Sequence, residues 1–236
     1  LILISNFKSY KTRNETKNYL FEINNLLKNI NILDEIIVFP SAIALQNTIG
    51  QISIGSQNIY PALNGPFTGE ITLQQIDEFN IEYVLIGHSE RRDILNESID
   101  FIAKKFNFLV EHNKKIVLCI GESQEIRERG ETLAFLKSQL SNLNLNYKNL
   151  TIAYEPIWAI GSGLTPTLNQ IEETLQFLAD LTNKKIIYGG SVKLANIKEI
   201  LSLSSCNGVL IGGASLNVQD FSQMIKIASS INKIRS

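Results

Sequence analysis

Histidine, cysteine, methionine and tryptophan are scarce in this chain of 236 residues, which has two, two, one and one of them. The cysteines, Cys119 and Cys206, lie far apart, with no CxxC pair and no histidine cluster beside them, so no zinc site is expected. A chain long enough for a large core has no need of a disulfide. Two thiols kept reduced, as in the cytoplasm, is the expectation. Neither sign of charge is in excess, with 22 Lys plus Arg against 23 Asp plus Glu. Composition therefore gives no ground for a nucleic-acid partner or an acidic membrane surface, and an anionic ligand must be caught by local groups. No run approaches the ~18 apolar residues of a membrane span. The apolar start, Leu1 to Ile4, is cut short by Asn6 and Lys8 and lacks the basic flank of a signal peptide. Low-complexity stretches and Pro/Gly-rich linkers are also missing, so one domain over residues 1–236 is expected.

What the sequence does have is 44% hydrophobic residues, in short continuous runs. These are Ile2–Ile4, a weaker one near Ile52–Gln57, and Ile36–Phe39, Tyr83–Ile86, Ile116–Ile120, Ile152–Tyr154, Ile186–Tyr188 and Val209–Ile211. Continuous rather than alternating runs fit parallel strands buried on both faces. Between them lie helical stripes: Leu20, Ile23, Leu27 and Ile30; Ile99, Ile102, Ala103, Phe106 and Leu109; Ile171, Leu175 and Leu178; Phe221, Met224, Ile225, Ala228 and Ile231. Thr167 and Gln170 match a capping box before the third stripe. The Asn-rich piece Ser141–Asn149 reads as a polar connection. About eight strand–helix units in succession point to the α/β class and a closed (β/α)8 barrel.

In such a barrel, chemistry gathers at the C-terminal ends of the strands. The residues there are Asn6-Phe7-Lys8 after the first run and Gly87-His88-Ser89-Glu90-Arg91-Arg92 after the fourth. Glu155-Pro156-Ile157-Trp158-Ala159-Ile160-Gly161-Ser162-Gly163 follows the sixth, Gly189-Gly190-Ser191-Val192 the seventh, and Gly212-Gly213-Ala214-Ser215 the eighth. Each has an ordinary reading: a lysine after a strand is usually solvated, a loop carboxylate bonds a nearby amide, glycine pairs serve tight turns, and Cys119 is a buried small hydrophobe. His112 falls near a helix end, where a surface position is expected. Their co-occurrence on one rim is what favours chemistry.

These motifs resemble those of the triosephosphate isomerases. Asn6-Phe7-Lys8 is similar to that family's Asn-Trp-Lys signature, and the stretches around His88, Glu155, Gly189 and Gly212 match its histidine, glutamate-and-lid and phosphate-loop motifs. Phe67-Thr68-Gly69-Glu70 and Cys119-Ile120-Gly121-Glu122 fit as well, and the matches run the length of the chain in order. The resemblance implies a cofactor-free and metal-free isomerase that interconverts dihydroxyacetone phosphate and D-glyceraldehyde 3-phosphate in glycolysis and gluconeogenesis. Glu155 would be the base and His88 the electrophile, on a polar floor of Lys8 and Asn6 and with Glu90 in support. Backbone N–H groups near Gly161, Ser191, Gly212 and Gly213 would hold the phosphate. Residues Pro156–Pro166 would form a lid whose closure excludes water. A cytoplasmic homodimer is implied, built on the loop Asn64–Glu70, with Thr68 reaching into the partner's site and Glu70 pairing with Arg91 across the interface.

Elementary chemistry agrees. An enediolate needs donors aimed at its oxyanion in advance, and a helix starting at Ser89 would set positive potential on His88. Two unit charges ~4 Å apart at an effective dielectric of about 20 interact by roughly 4 kcal/mol, against ~1 kcal/mol for a neutral hydrogen bond, so Lys8 should matter more than Asn6. The chain departs from the family pattern at Phe7, which stands where Trp is usual, and in the lid at Ser162, Leu164 and Pro166, where Thr, Lys and Ala are common. Two other readings stay open. A metal-dependent sugar-phosphate epimerase would need more histidines, and a non-catalytic phosphate-binding barrel would need to have lost Lys8, His88 or Glu155.

Overall fold

The computed structural model describes residues 1–28, 35–160 and 164–235. Ile30 of the first stripe and Gly161, Ser162 and Gly163 of the expected lid lie outside them. Eight strands form: β1 (Ile2–Asn6), β2 (Glu35–Phe39), β3 (Ile52–Ser56), β4 (Tyr83–Ile86), β5 (Lys115–Ile120), β6 (Leu150–Tyr154), β7 (Lys185–Tyr188) and β8 (Gly208–Ile211). Each expected run lies in one of them, except that the weaker run overshoots β3 by Gln57. They neighbour one another in chain order, and β8 returns to pair in parallel with β1, closing a barrel. The weak run at β3 has a steric cause. A side chain at Gly55 would collide with the Phe39 ring at 2.2 Å, so the strand gives up a hydrophobe to let Phe39 fill the interior.

The helices are α1 (Arg13–Leu27), α2 (Leu73–Asp77), α3 (Ser89–Asp93), α4 (Ile99–Glu111), α5 (Gln124–Glu128), α6 (Thr132–Leu140), α7 (Leu168–Thr182), α8 (Ile197–Ser202) and α9 (Val218–Arg235). The unit after β2 departs from the simple repeat: among the described residues it carries only a 3-10 turn, Ala42–Ala44. The Thr167–Gln170 capping box forms as expected, and Thr12 with Glu15 makes another at the start of α1. Such a cap satisfies N–H groups the helix leaves without partners. The described stripe residues are buried, except that Ile99 is 38% exposed; as the first residue of α4 it lies on the opening turn, off the packed face. His112 caps the other end of α4 but is half-buried rather than on the surface, its Nδ1 2.7 Å from the Phe108 carbonyl.

The core has two layers. Inside the barrel, Ile2, Ile4, Ile37, Phe39, Tyr83, Leu85, Val117, Cys119, Ala153, Ile187 and Leu210 pack together. Alternate strand residues, such as Leu3, Val38, Val84, Leu118 and Ile152, face outward and meet the helical stripes. Period-two alternation thus buries both strand faces. The filled interior leaves only the strand ends for polar chemistry.

Candidate active site

The rim residues converge at the C-terminal mouth. Asn6 ends β1 and is nearly buried. Two residues on, Lys8 has φ +49°, a left-handed conformation that costs a non-glycine residue about 1–2 kcal/mol. Three hydrogen bonds surround that turn. The Lys8 N–H donates to Asn6 Oδ1 at 3.0 Å, and Gln57 Nε2 donates both to the Lys8 carbonyl and to the Phe39 carbonyl at 2.9 Å. The Lys8 ammonium thereby faces the mouth and pairs with Glu90 Oε1 at 2.8 Å.

After β4 the chain turns at Gly87, φ +72°. A Cβ there would meet an Arg92 nitrogen at 2.8 Å and the Cys119 carbonyl at 2.9 Å. Arg92 binds this corner from beneath, donating to the Gly87 carbonyl at 2.7 Å and to the Cys119 carbonyl at 3.0 Å. Its burial pulls the guanidinium below its ordinary value, and the charge of Glu155 works against that. His88 then caps α3. Its Nδ1 accepts the Glu90 N–H at 3.3 Å, so the proton of the neutral ring sits on Nε2. Nε2 faces Glu155 Oε1 at 3.4 Å.

Glu155 follows β6 and is 2% exposed. Its Oε2 accepts the Ser89 N–H at 3.2 Å. Two glycines make room for it: a Cβ on Gly121 would fall 1.7 Å from its carbonyl oxygen, and one on Gly189 would fall 2.9 Å from its Cγ. Beneath it, Cys119 is fully buried. Burial first, and then the Glu155 charge, push its thiol well up, which leaves it inert as a nucleophile.

Asn6, Lys8, His88, Glu155, Ser191, Gly212 and Gly213 line a single cavity of about 290 Å³. Gly161 lies outside the described residues, and Glu90 stands just behind, 3.7 Å from His88 Nδ1. Sequence reading did not single out Gln57, Tyr10 or Lys193. The last two line the same cavity. Gln57 has no motif around it, and the strained Lys8 backbone it holds is visible only in three dimensions. Among the described residues, no three His, Cys, Asp or Glu side chains group as a metal ion would require.

Comparison with known proteins points the same way. The family model described as triosephosphate isomerase matches residues 1–228. A triosephosphate isomerase from a Nitratiruptor species is 48% identical over 233 residues, covering 98% of this chain and 100% of the relative. Those from a Sulfurovum species and from Campylobacter jejuni subsp. jejuni are 47% and 48% identical over 227 residues, covering 95% and 96% of this chain and 99% and 100% of theirs. Matched along nearly its whole length and carrying this constellation at the barrel mouth, the chain belongs to the triosephosphate isomerase family.

Proposed function

We propose that the chain interconverts dihydroxyacetone phosphate and D-glyceraldehyde 3-phosphate through an enediolate, with Glu155 moving the proton between the adjacent carbons. The observation that carries this reading is the approach of His88 Nε2 to Glu155 Oε1, 3.4 Å, on the wall of a cavity that Lys8 also faces. A carboxylate can take a proton from carbon, and a neutral imidazole with its N–H on that side can donate to the developing oxyanion and later return the proton. A glutamate base beside a neutral histidine is the general acid–base pattern for which this same family is known. Lys8 adds a full positive charge where negative charge develops, and Asn6 a neutral donor.

The carboxylate is tethered to the Ser89 N–H, so it must turn from that donor toward substrate before it can act. The backbone of Ser191, Gly212 and Gly213, with Gly161 from the lid, would hold the phosphate, as amides without nearby Cβ atoms can. Glu90, paired with Lys8, is proposed as a support and not as a reacting group. The reading requires neither metal nor cofactor.

We further propose a homodimer built on the loop Asn64–Glu70 and a cytoplasmic location, in line with the family's chemistry. Within the chain Phe67 is already stacked on Tyr60, centroids 4.1 Å apart. Arg91 gives Nε and Nη2 to Glu97 Oε1, both at 2.7 Å, leaving Nη1 as the donor for Glu70 of the partner subunit. No described helix is long and apolar enough to cross a membrane.

A coupled isomerase assay with and without a chelator tests the catalytic reading. Turnover unaffected by the chelator is expected. Chelator-sensitive turnover would overturn the metal-free reading, and no turnover the catalytic one.

A further inference from the structure

The outward side of β1 carries a buried polar cluster with no place in the chemistry above. Ile2 and Ile4 point into the barrel, so Ser5 falls on the opposite face, among Leu3 and Phe7. It is fully buried, as is Ser215, and Tyr19 of α1 is 5% exposed. The Tyr19 ring is set edge-on against Phe7, centroids 4.8 Å apart. Hydroxyls in an apolar layer are costly unless hydrogen-bonded, and all of these are. Their bonds converge on one turn.

The Tyr19 hydroxyl donates to the Ser215 carbonyl at 2.6 Å, and Ser5 Oγ donates to Ser215 Oγ at 2.6 Å. Ser215 Oγ in turn lies 2.7 Å from the Gly212 carbonyl, which also accepts the Ser215 N–H at 2.9 Å. The Gly212 carbonyl is thereby drawn back toward the protein. That carbonyl and the Gly213 N–H belong to one planar trans peptide and point in opposite directions. Fixing the oxygen inward aims the Gly213 N–H outward, on the side where Gly212 and Gly213 line the cavity.

We propose that Ser5 and Tyr19 are positioning residues for phosphate, acting through Ser215 to orient the Gly212–Gly213 peptide. This rests on the reading that Gly212 and Gly213 hold the substrate's phosphate. Neither residue touches substrate. Their effect depends on the phosphate group, which separates it from a general loosening of the barrel.

The test uses Ser5→Ala, Tyr19→Phe and the double variant. Competitive inhibition by inorganic phosphate is measured together with kcat/KM for D-glyceraldehyde 3-phosphate and for unphosphorylated D-glyceraldehyde. Each single variant removes one neutral hydrogen bond, so phosphate inhibition and kcat/KM for the phosphorylated substrate should each weaken about three- to tenfold. Turnover of D-glyceraldehyde should stay within about twofold of wild type. Equal losses on both substrates, or unchanged phosphate inhibition in the double variant, would overturn the proposal while leaving the phosphate site in place. A wild-type chain indifferent to phosphate would remove that site and the proposal together.

Discussion

Glu155 and Glu97 are both buried carboxylates, and their neighbours give them opposite uses. Glu155 faces a backbone N–H and an imidazole at the edge of a cavity, with no Lys or Arg paired to it among the described residues. Glu155→Gln keeps the shape and the bond from Ser89 but removes the proton acceptor. Turnover should fall by about 10²–10⁴ while inorganic phosphate still inhibits competitively; near-normal turnover in steady-state assays would sink the assignment. Glu97 instead meets Lys105 at 2.5 Å and Arg91 at 2.7 Å, and Lys105 also donates to Asn58 at 2.6 Å. Burial opposes the charge on Glu97, but the bonds from Arg91 and Lys105 outweigh it and hold the carboxyl below its ordinary value. A depressed folded-state value means stability that is present above the ordinary carboxylate range and lost as pH falls through the folded value. The melting temperature should therefore drop on acidification below about pH 4.5. Glu97→Gln should flatten that part of the profile and, by leaving Lys105 buried without its counter-charge, cost about 3–5 kcal/mol at neutral pH. An unchanged acid limb in thermal melts of the variant would show that the pair does not carry the effect. His88 and Glu155 could be read from the sequence because each sits in a motif beside a strand end. Gln57, Lys105 and Asn58 could not, because their roles depend on partners far away in the chain.

At the scale of elements, the strands were legible because burial on both faces leaves continuous apolar runs. The turn Ala42–Ala44 was not, since no stripe marks a connection so short. The hinges of the proposed lid show how far residue reading carries. Its first hinge is the 3-10 turn Ile157–Ala159, where Trp158 Nε1 donates to buried Glu122 at 3.1 Å and Arg127 lies over the indole at 4.9 Å. At the other end stands Pro166, which has no N–H to offer; it also restricts Thr165 to extended conformations. A residue with an N–H at that position could donate to the Tyr188 hydroxyl on closure, and Pro166 cannot. In this chain the Tyr188 hydroxyl is buried and has no hydrogen-bond partner among the described residues. Burial pushes its phenol up, and the Ser191 N–H, which lies nearby without reaching hydrogen-bonding geometry, offsets only part of that. Tyr188→Phe should then cost well under the ~0.5–1.5 kcal/mol of a typical hydrogen bond. Ser191→Ala, which removes a hydroxyl from the residue that shares the cavity wall with Ile160, should impair closure. Trp158 is the single tryptophan, so its fluorescence on adding a phosphate-bearing enediolate analogue reports both. Equal weakening of analogue binding in the two variants, with the fold intact, would refute this account of the hinge.

At the scale of the molecule, the mouth of the barrel is open on one side. Ile94 and Leu95, between α3 and α4, are 71% and 57% exposed. They share the wall of a second cavity, about 340 Å³, with Gly69, Glu70, Asn6, Lys8 and His88. Adjacent large hydrophobes left in water mark a contact surface more often than scattered ones do. Here that surface adjoins the residues proposed to do the chemistry, and the loop Asn64–Glu70 rises beside it. A second copy seated on this face would cover Ile94 and Leu95 and close the wall behind Lys8. It would also bring a carboxylate toward Arg91. Assembly and activity should therefore be coupled. At micromolar concentration the chain should sediment as a dimer. Leu95→Glu places a charge in the apolar contact, and burying it without a partner is costly, so this variant should sediment as a monomer. Its kcat/KM should fall at least about tenfold, the loss expected when roughly 1.4 kcal/mol of transition-state stabilisation is removed. A wild-type monomer with full activity at that concentration, or a monomeric Leu95→Glu as active as wild type, would show that the site is complete within one chain.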